Sequence, residues 1–397
     1  MASLARKTWL IWVIFAVVIA VMVLLASSPR TVTGAYRSGS LNWLAGENIY
    51  GEGIHGYLYL PQAGILFLPF ALLPHQLGEI LWRAFGIALL AAAVWRLARL
   101  QGEEQVPLFF LVMTLFTIPL AMNSARNGQM NIVLAALMAH AGIDLAHRQW
   151  TPAALWLTLG VALKPLMISM FLLCGVLYRP LRRRLLLAFA LLLLAPFLTQ
   201  NPAYVGSQYL LFFEKMQLAG NPGNEPYSDL FGITRSLGLH VPVSWQTVLR
   251  GAAALLTLAM CWVGLRRWGH LAGSLLLLTY TAGYILLFNP RTENNTYVLL
   301  AIPLGFFAAH AFLVTRRLPL GALLAALTVF MSASYELTRG HNYWLNPASC
   351  LVFLAYVTSL VSRKPTTPGD PLAMTSTMQP PSYPPNHLKS REDTRRR

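Results

Sequence analysis

Long uncharged apolar runs recur along this chain and constrain it more than any other feature. Thr8 to Ala26 alone runs nineteen residues without a charge. At about 1.5 Å of rise per helical residue, such a run crosses a hydrocarbon core about 30 Å thick. Further apolar stretches near 77–100, 106–122, 128–146, 152–163, 165–178, 184–199, 247–266, 270–289, 296–314, 319–335 and 347–361 predict more helices. Composition agrees: 56% of the 397 residues are apolar and 11% charged, against roughly 25% charged in an ordinary soluble domain. The expected fold is an all-α polytopic membrane protein with about twelve transmembrane helices. Gly64 to Leu73 is too brief to span and predicts a re-entrant or interfacial piece.

Arg6 and Lys7 precede the first run, which admits a secretory leader. The apolar stretch exceeds the ~7–15 residues of a leader and no clear A-x-A site follows, so an uncleaved anchor is expected. Lys and Arg placement sets the orientation. With the N-terminus in the cytoplasm, twenty basic residues fall inside, among them Arg96, Arg148, Arg182 and Arg316, and eight outside. Arg83 and Lys164 lie within apolar segments. Both termini are thus predicted to be cytoplasmic in a multi-pass plasma (inner) membrane protein. The formal charge of +16 is explained by a basic inner rim facing membrane lipids, and no nucleic-acid partner is expected.

Two longer loops face outward in this scheme, at about 27–61 and 200–245. The first contains a weakly amphipathic stretch, Ala35 to Ala45, that ends at Gly46 and predicts a short interfacial helix. Residues 1–361 form one multi-spanning domain. Residues 362–397 are Pro-, Ser- and Thr-rich with a basic end, a composition that predicts a disordered cytoplasmic tail. Cys174, Cys261 and Cys350 sit in apolar segments as small buried side chains.

Polar chemistry concentrates at outer boundaries. NPRTENNTY, Asn289 to Tyr297, is the densest polar run. Arg291 offers a planar fork that matches phosphate oxygens, and Glu293 is a candidate general base for a hydroxyl. Asn294 and Asn295 are candidate substrate contacts; the structural alternative is that one of them caps the next helix. SARNGQMN supplies Arg126, Asn127, Gln129 and Asn131 at a helix start, where free backbone N–H groups favour an anion. The competing explanation is a capped start with Gly128 relieving crowding. Lys164, before Pro165, sits in an apolar hairpin. A lysine there costs about 2.5–3.5 kcal/mol and requires a partner or water. Arg83, nearer a helix start, is expected to snorkel outward. Glu47 and Tyr59 lie in the first loop, where tyrosines serve as interface anchors or stack on sugars. Asp229 and Arg235 fit a capped helix. No phosphate-cradling glycine loop, zinc spacing or nucleophile elbow occurs. No cofactor or metal is therefore expected, and an external site is most simply supplied by a lipid-linked activated donor.

Four blocks carry a family resemblance: GENIY (46–50), YLYLPQAGILFLPFALLP (57–74), NGQMNIVLAALM (127–138) and LGVALKPLMIS (159–169). In order and spacing they resemble the family 87 glycosyltransferases, polyprenol-phosphate-mannose-dependent mannosyltransferases of the GT-C superfamily. The resemblance implies a GT-C-like helical bundle. It also implies transfer of a hexose from a polyprenyl-phosphate-linked donor to a hydroxyl of a glycan or glycolipid acceptor, with inversion, on the extracytoplasmic side. The family's acidic base in the first external loop has no counterpart here: PRTVTGAY (29–36) contains no carboxylate. The family's His-containing turn is replaced by NPRTENNTY. Either Glu293 or, second, Glu47 serves as base, or the substrate differs, or catalysis is altered. Arg291, Arg126 and Lys164 are the candidates for the phosphate. A lipid or sugar transporter or flippase, or a noncatalytic subunit of an envelope-assembly complex, are the rival readings.

Overall fold

The computed structural model describes residues 2–25, 30–220, 227–339, 343–363 and 371–372, and all regular structure among them is helical. The helices run α1 (Ala2–Leu25), α2 (Thr33–Ala45), α3 (Pro61–Ala71), α4 (His75–Ala98), α5 (Val106–Arg126) and α6 (Met130–Ala146). Then follow α7 (Trp150–Leu163), α8 (Ile168–Leu177), α9 (Arg182–Leu194), α10 (Pro202–Gly220) and α11 (Leu230–Ser236). The last are α12 (Val243–Phe288), α13 (Ala301–Leu313), α14 (Leu318–Ser332), α15 (Ser334–Leu337) and α16 (Leu345–Val361). The tail expected to be disordered over 362–397 falls almost wholly outside the described residues.

Five helical stretches among the described residues are long and apolar enough to cross a bilayer: Ser3–Leu25, His75–Ala98, Val106–Arg126, Val243–Phe288 and Asn294–Leu313. Other apolar stretches, including Met130–Ala146 and Leu345–Val361, form helices of 10–17 residues. At 46 residues α12 would reach about 69 Å if straight. Gly269, at φ 76° and ψ −172°, breaks it into two legs, at the division expected between 247–266 and 270–289. Leu10, Val13, Ile14, Val17 and Leu24 of α1 and Val248, Leu255, Leu256 and Trp262 of α12 are exposed. Such faces are stable only against lipid or another apolar surface, and the chain is an all-α membrane protein.

α6 is the axis of the bundle. Every residue from Met130 to Leu145 is buried, as expected of a helix whose apolar residues surround it, with the polar Asn131, His140 and Asp144 buried among them. It packs on α4, α7 and α12, while α5 lies between α1 and α13. α2 and α3 pack closely on each other. Ser40 Oγ donates to Gly64 O at 2.8 Å, and the Tyr57 ring fills the space beside Gly39, where a Cβ would lie 2.5 Å from it. The amphipathic stretch is indeed helical and ends at Gly46 in the left-handed conformation. α3, at 11 residues, is as short as its sequence requires.

The α5–α6 turn is clamped to the start of α2 and to α4. Gly128 has φ 64°, and a Cβ there would lie 2.4 Å from Thr33 Cγ2. Val32 N donates to Asn127 O at 3.1 Å, and Trp82 Nε1 donates to Gly128 O at 2.9 Å. Arg83 corrects an expectation: it does not snorkel but is buried. Its guanidinium donates to Arg126 O at 3.3 Å and Thr31 Oγ1 at 2.8 Å, and lies 3.6 Å from the Glu79 carboxylate. The reason is energetic: a buried guanidinium needs several acceptors at once, and the exposed carbonyl of the turn supplies one. Cys174, Cys261 and Cys350 are buried and free. Asp229 caps α11, accepting from Gly232 N and from Arg235, each at 2.8 Å.

Candidate active site

Lys164 owes its position to a helix break. α7 stops at Leu163, and Lys164 is extended at φ −151° and ψ 121°. Pro165 then opens a short 3-10 turn, Pro165–Met167. The break turns the ammonium toward the start of α6, where Nζ donates to Asn131 Oδ1 at 2.5 Å. Asn131 Nδ2 donates in turn to Asn295 Oδ1 at 3.1 Å, and Asn295 Nδ2 donates to Glu293 Oε2 at 3.0 Å. The direction of this chain is fixed by its ends. A lysine ammonium has only protons to give and a carboxylate only lone pairs, so each amide between them can point one way.

The NPRTENNTY segment links α12 to a 3-10 stretch, Asn294–Leu300, that leads into α13. Neither Asn294 nor Asn295 is the cap; Glu293 occupies that position, without a side-chain capping bond. The asparagines are committed elsewhere. Asn294 Oδ1 accepts from Ser228 Oγ at 2.6 Å and Asn346 Nδ2 at 3.1 Å, so long-range partners outcompete the local cap. Arg291 donates to Ile54 O in the first loop and stands 5.7 Å from the centre of the Tyr227 ring.

Two cavities open around these groups. The first, of about 610 Å³, is lined by Tyr59, Gln129, Lys164, Arg291 and Glu293, with apolar Leu58, Leu166 and Met216. The second, of about 630 Å³, is lined by Arg126, Asn127, Gln129, Glu293, Asn294 and Asn295. Arg30, Val32, Gln129 and Glu293 belong to both linings. Asn131 lines neither and lies behind the wall as a buried connector. Glu47 also lines neither: it is exposed in the turn after α2, where its carbonyl accepts from Tyr204.

Tyr59 Oη lies 3.2 Å from Tyr36 Oη, which accepts from Met130 N at the start of α6. Burial pushes the Tyr59 phenol up to about 12, so near neutral pH it is a hydrogen-bond partner and not a base. Arg30 is a site residue that motif reading missed. It stacks 4.9 Å above Tyr335 and faces both cavities. No local signal marks it, because a single arginine after an apolar run resembles an ordinary flank.

The class that this architecture defines is an all-α membrane protein in which polar turns from distant segments meet at two adjoining cavities, one of them cationic. Residues 57–290, more than half of the sequence, match the model of glycosyltransferase family 87, and the chain belongs to that family. It is a glycosyltransferase on that ground. The match ends at Pro290, so Arg291 and Glu293 stand on geometry alone. No curated protein matches the chain.

Proposed function

We propose that this protein transfers a hexose, mannose being the sugar the family resemblance suggests, from a polyprenyl-phosphate-linked donor to an acceptor hydroxyl on the extracytoplasmic side. The observation that carries the proposal is that Glu293 lies in the wall common to both cavities. A base at such a wall reaches an acceptor in one cavity while a donor occupies the other. The first cavity combines Lys164 and Arg291 with an apolar flank, as a phosphate joined to a hydrocarbon tail requires. The basic-residue asymmetry supports the orientation, with about twelve spans and both termini in the cytoplasm.

In the proposed reaction the acceptor oxygen attacks the anomeric carbon from the face opposite the phosphate, and its proton passes to Glu293. The bond from the anomeric carbon to the phosphate oxygen breaks, and its electron pair leaves with the polyprenyl phosphate. Lys164 and Arg291 receive the charge that develops there. A positioned base contributes typically about 10²–10⁴-fold; the cations act on the leaving group, where charge changes most.

Purified protein in vesicles, given a radiolabelled polyprenyl-phosphate hexose and a glycolipid extract, tests the proposal. Labelled product that disappears in Glu293→Gln is the expected result. Vesicle-to-vesicle movement of the intact donor with no covalent product would replace transfer with transport.

A further inference from the structure

Residues 51–54, in the loop between α2 and α3, are fastened by two cations from distant parts of the chain. Lys215 of α10 donates from Nζ to Gly51 O at 2.7 Å, Glu52 O at 3.3 Å and Gly53 O at 2.6 Å. Arg291 takes the next carbonyl, Ile54 O. Gly53 is left-handed at φ 70°, a bend open to glycine, and three consecutive carbonyls converge on one ammonium. A compact ammonium suits such a cluster better than a planar guanidinium. Both sides of the fastening border the first cavity: His55 and Gly56 follow Ile54 into its lining, and Met216 follows Lys215. Lys215 itself is buried and lies outside that lining.

We infer that Lys215 positions Arg291 for an anion in the first cavity, acting through the carbonyls of residues 51–54. This rests on the reading of Arg291 as a phosphate ligand. Lys215 fixes Gly53 O, and the rigid planar peptide groups limit how far the adjacent Ile54 O can move. Ile54 O in turn anchors the guanidinium, which stands beside the Tyr227 ring. A long side chain ordered in advance costs less to immobilise when its ligand arrives. The type of acceptor matters as well. Among the described residues, neither Lys215 nor Arg291 is in an ion pair. A carboxylate would anchor the guanidinium and cancel its charge, whereas a neutral carbonyl anchors it and leaves the charge for a phosphate. The remaining N–H groups of the fork stay available to phosphate oxygens.

A double-mutant cycle on farnesyl phosphate binding, with the full-length protein in lipid nanodiscs, tests the inference. Lys215→Met keeps the bulk and removes the ammonium. Lys215→Arg keeps the charge, but its fork cannot meet three converging carbonyls at once. Arg291→Gln removes the cation at the other end. The expected result is that Lys215→Met weakens binding about tenfold, the scale of one charge-assisted hydrogen bond. In the Arg291→Gln background the same change should alter affinity by less than about twofold, because nothing remains to be misplaced. Lys215→Arg should weaken binding with the same non-additivity, and it keeps the cycle readable if Lys215→Met does not elute as wild type. Wild-type affinity in every Lys215 variant that elutes normally would overturn the inference. So would equal weakening in both backgrounds, the pattern of a residue that only supports the fold or attracts the anion by its own charge. Wild-type affinity in Arg291→Gln is a different failure: it removes the phosphate reading of Arg291, and the inference falls with it.

Discussion

Lys164 and Glu293 are the two ends of one hydrogen-bonded chain that runs through Asn131 and Asn295. A cation assigned to the leaving group and a carboxylate assigned to the acceptor proton are thereby held at fixed positions by two amides. The arrangement makes the buried connector as consequential as the groups it connects.

Asn131→Ala removes both the acceptor for Lys164 and the donor to Asn295. Misplacement of reacting groups by about 1 Å can cost about 10²-fold, and a loss of that order is expected in the transfer rate. Asn131→Asp keeps an acceptor for Lys164 but has no proton for Asn295, so it should recover part of the loss. Wild-type rates in Asn131→Ala, from protein that elutes as wild type in size-exclusion chromatography, would remove the chain from the mechanism.

Glu293→Gln should lower the transfer rate by about 10²–10⁴-fold with donor affinity preserved. Glu47→Gln should keep the full rate, because Glu47 is exposed and outside both cavities. Single-turnover assays of the two variants decide between the carboxylates. The reverse pattern would move the base to the first loop.

Gly128→Ala puts a Cβ 2.4 Å from Thr33 Cγ2 at a residue with φ 64°. Left-handed strain and overpacking each cost about 1–3 kcal/mol. A lower thermal midpoint in detergent is expected, together with loss of transfer, since the same turn carries Gln129 into both cavities. An unchanged midpoint would show that the turn yields easily.

Alkaline titration reports on the burial of Tyr59. Because burial raises the Tyr59 phenol to about 12, the folded protein keeps this proton above pH 10 while the unfolded chain, near its ordinary value of about 10, releases it. The group therefore lowers stability as pH climbs between those values, by at most about 1.4 kcal/mol per pH unit. Tyr59→Phe should flatten the stability curve there and remove one late phenolate from the absorbance titration. A phenolate lost near pH 10 instead would mean that Tyr59 is wet.

Features written in local order were readable from the primary structure. Apolar runs became helices because hydropathy and length act within one segment. Gly46 ended α2 and Asp229 capped α11 because capping spans only a few residues. The polar turns around Arg291 and Asn131 stood out because ionisable and amide groups are expensive in an apolar chain. Local rules failed where distant partners competed. A helix cap by Asn294 or Asn295 was the local alternative to substrate contact, and they bond instead to Ser228, Asn346, Asn131 and Glu293. Arg83, expected at the surface, is buried because two distant segments, at Thr31 and Arg126, add acceptors to the Glu79 carbonyl of its own helix.

Membrane residence and helical class therefore follow from the order of residues, since the cost of exposing apolar side chains or an unpaired backbone is paid within each segment. Which polar groups meet does not. Arg30, Lys164 and Glu293 come from widely separated stretches, and their shared cavity exists only because α6 is enclosed on every side and the Pro165 break aims Lys164 at its start. Packing between helices depends on all the surfaces at once, so the wall that Glu293 forms between two chambers appears only when the whole bundle is assembled.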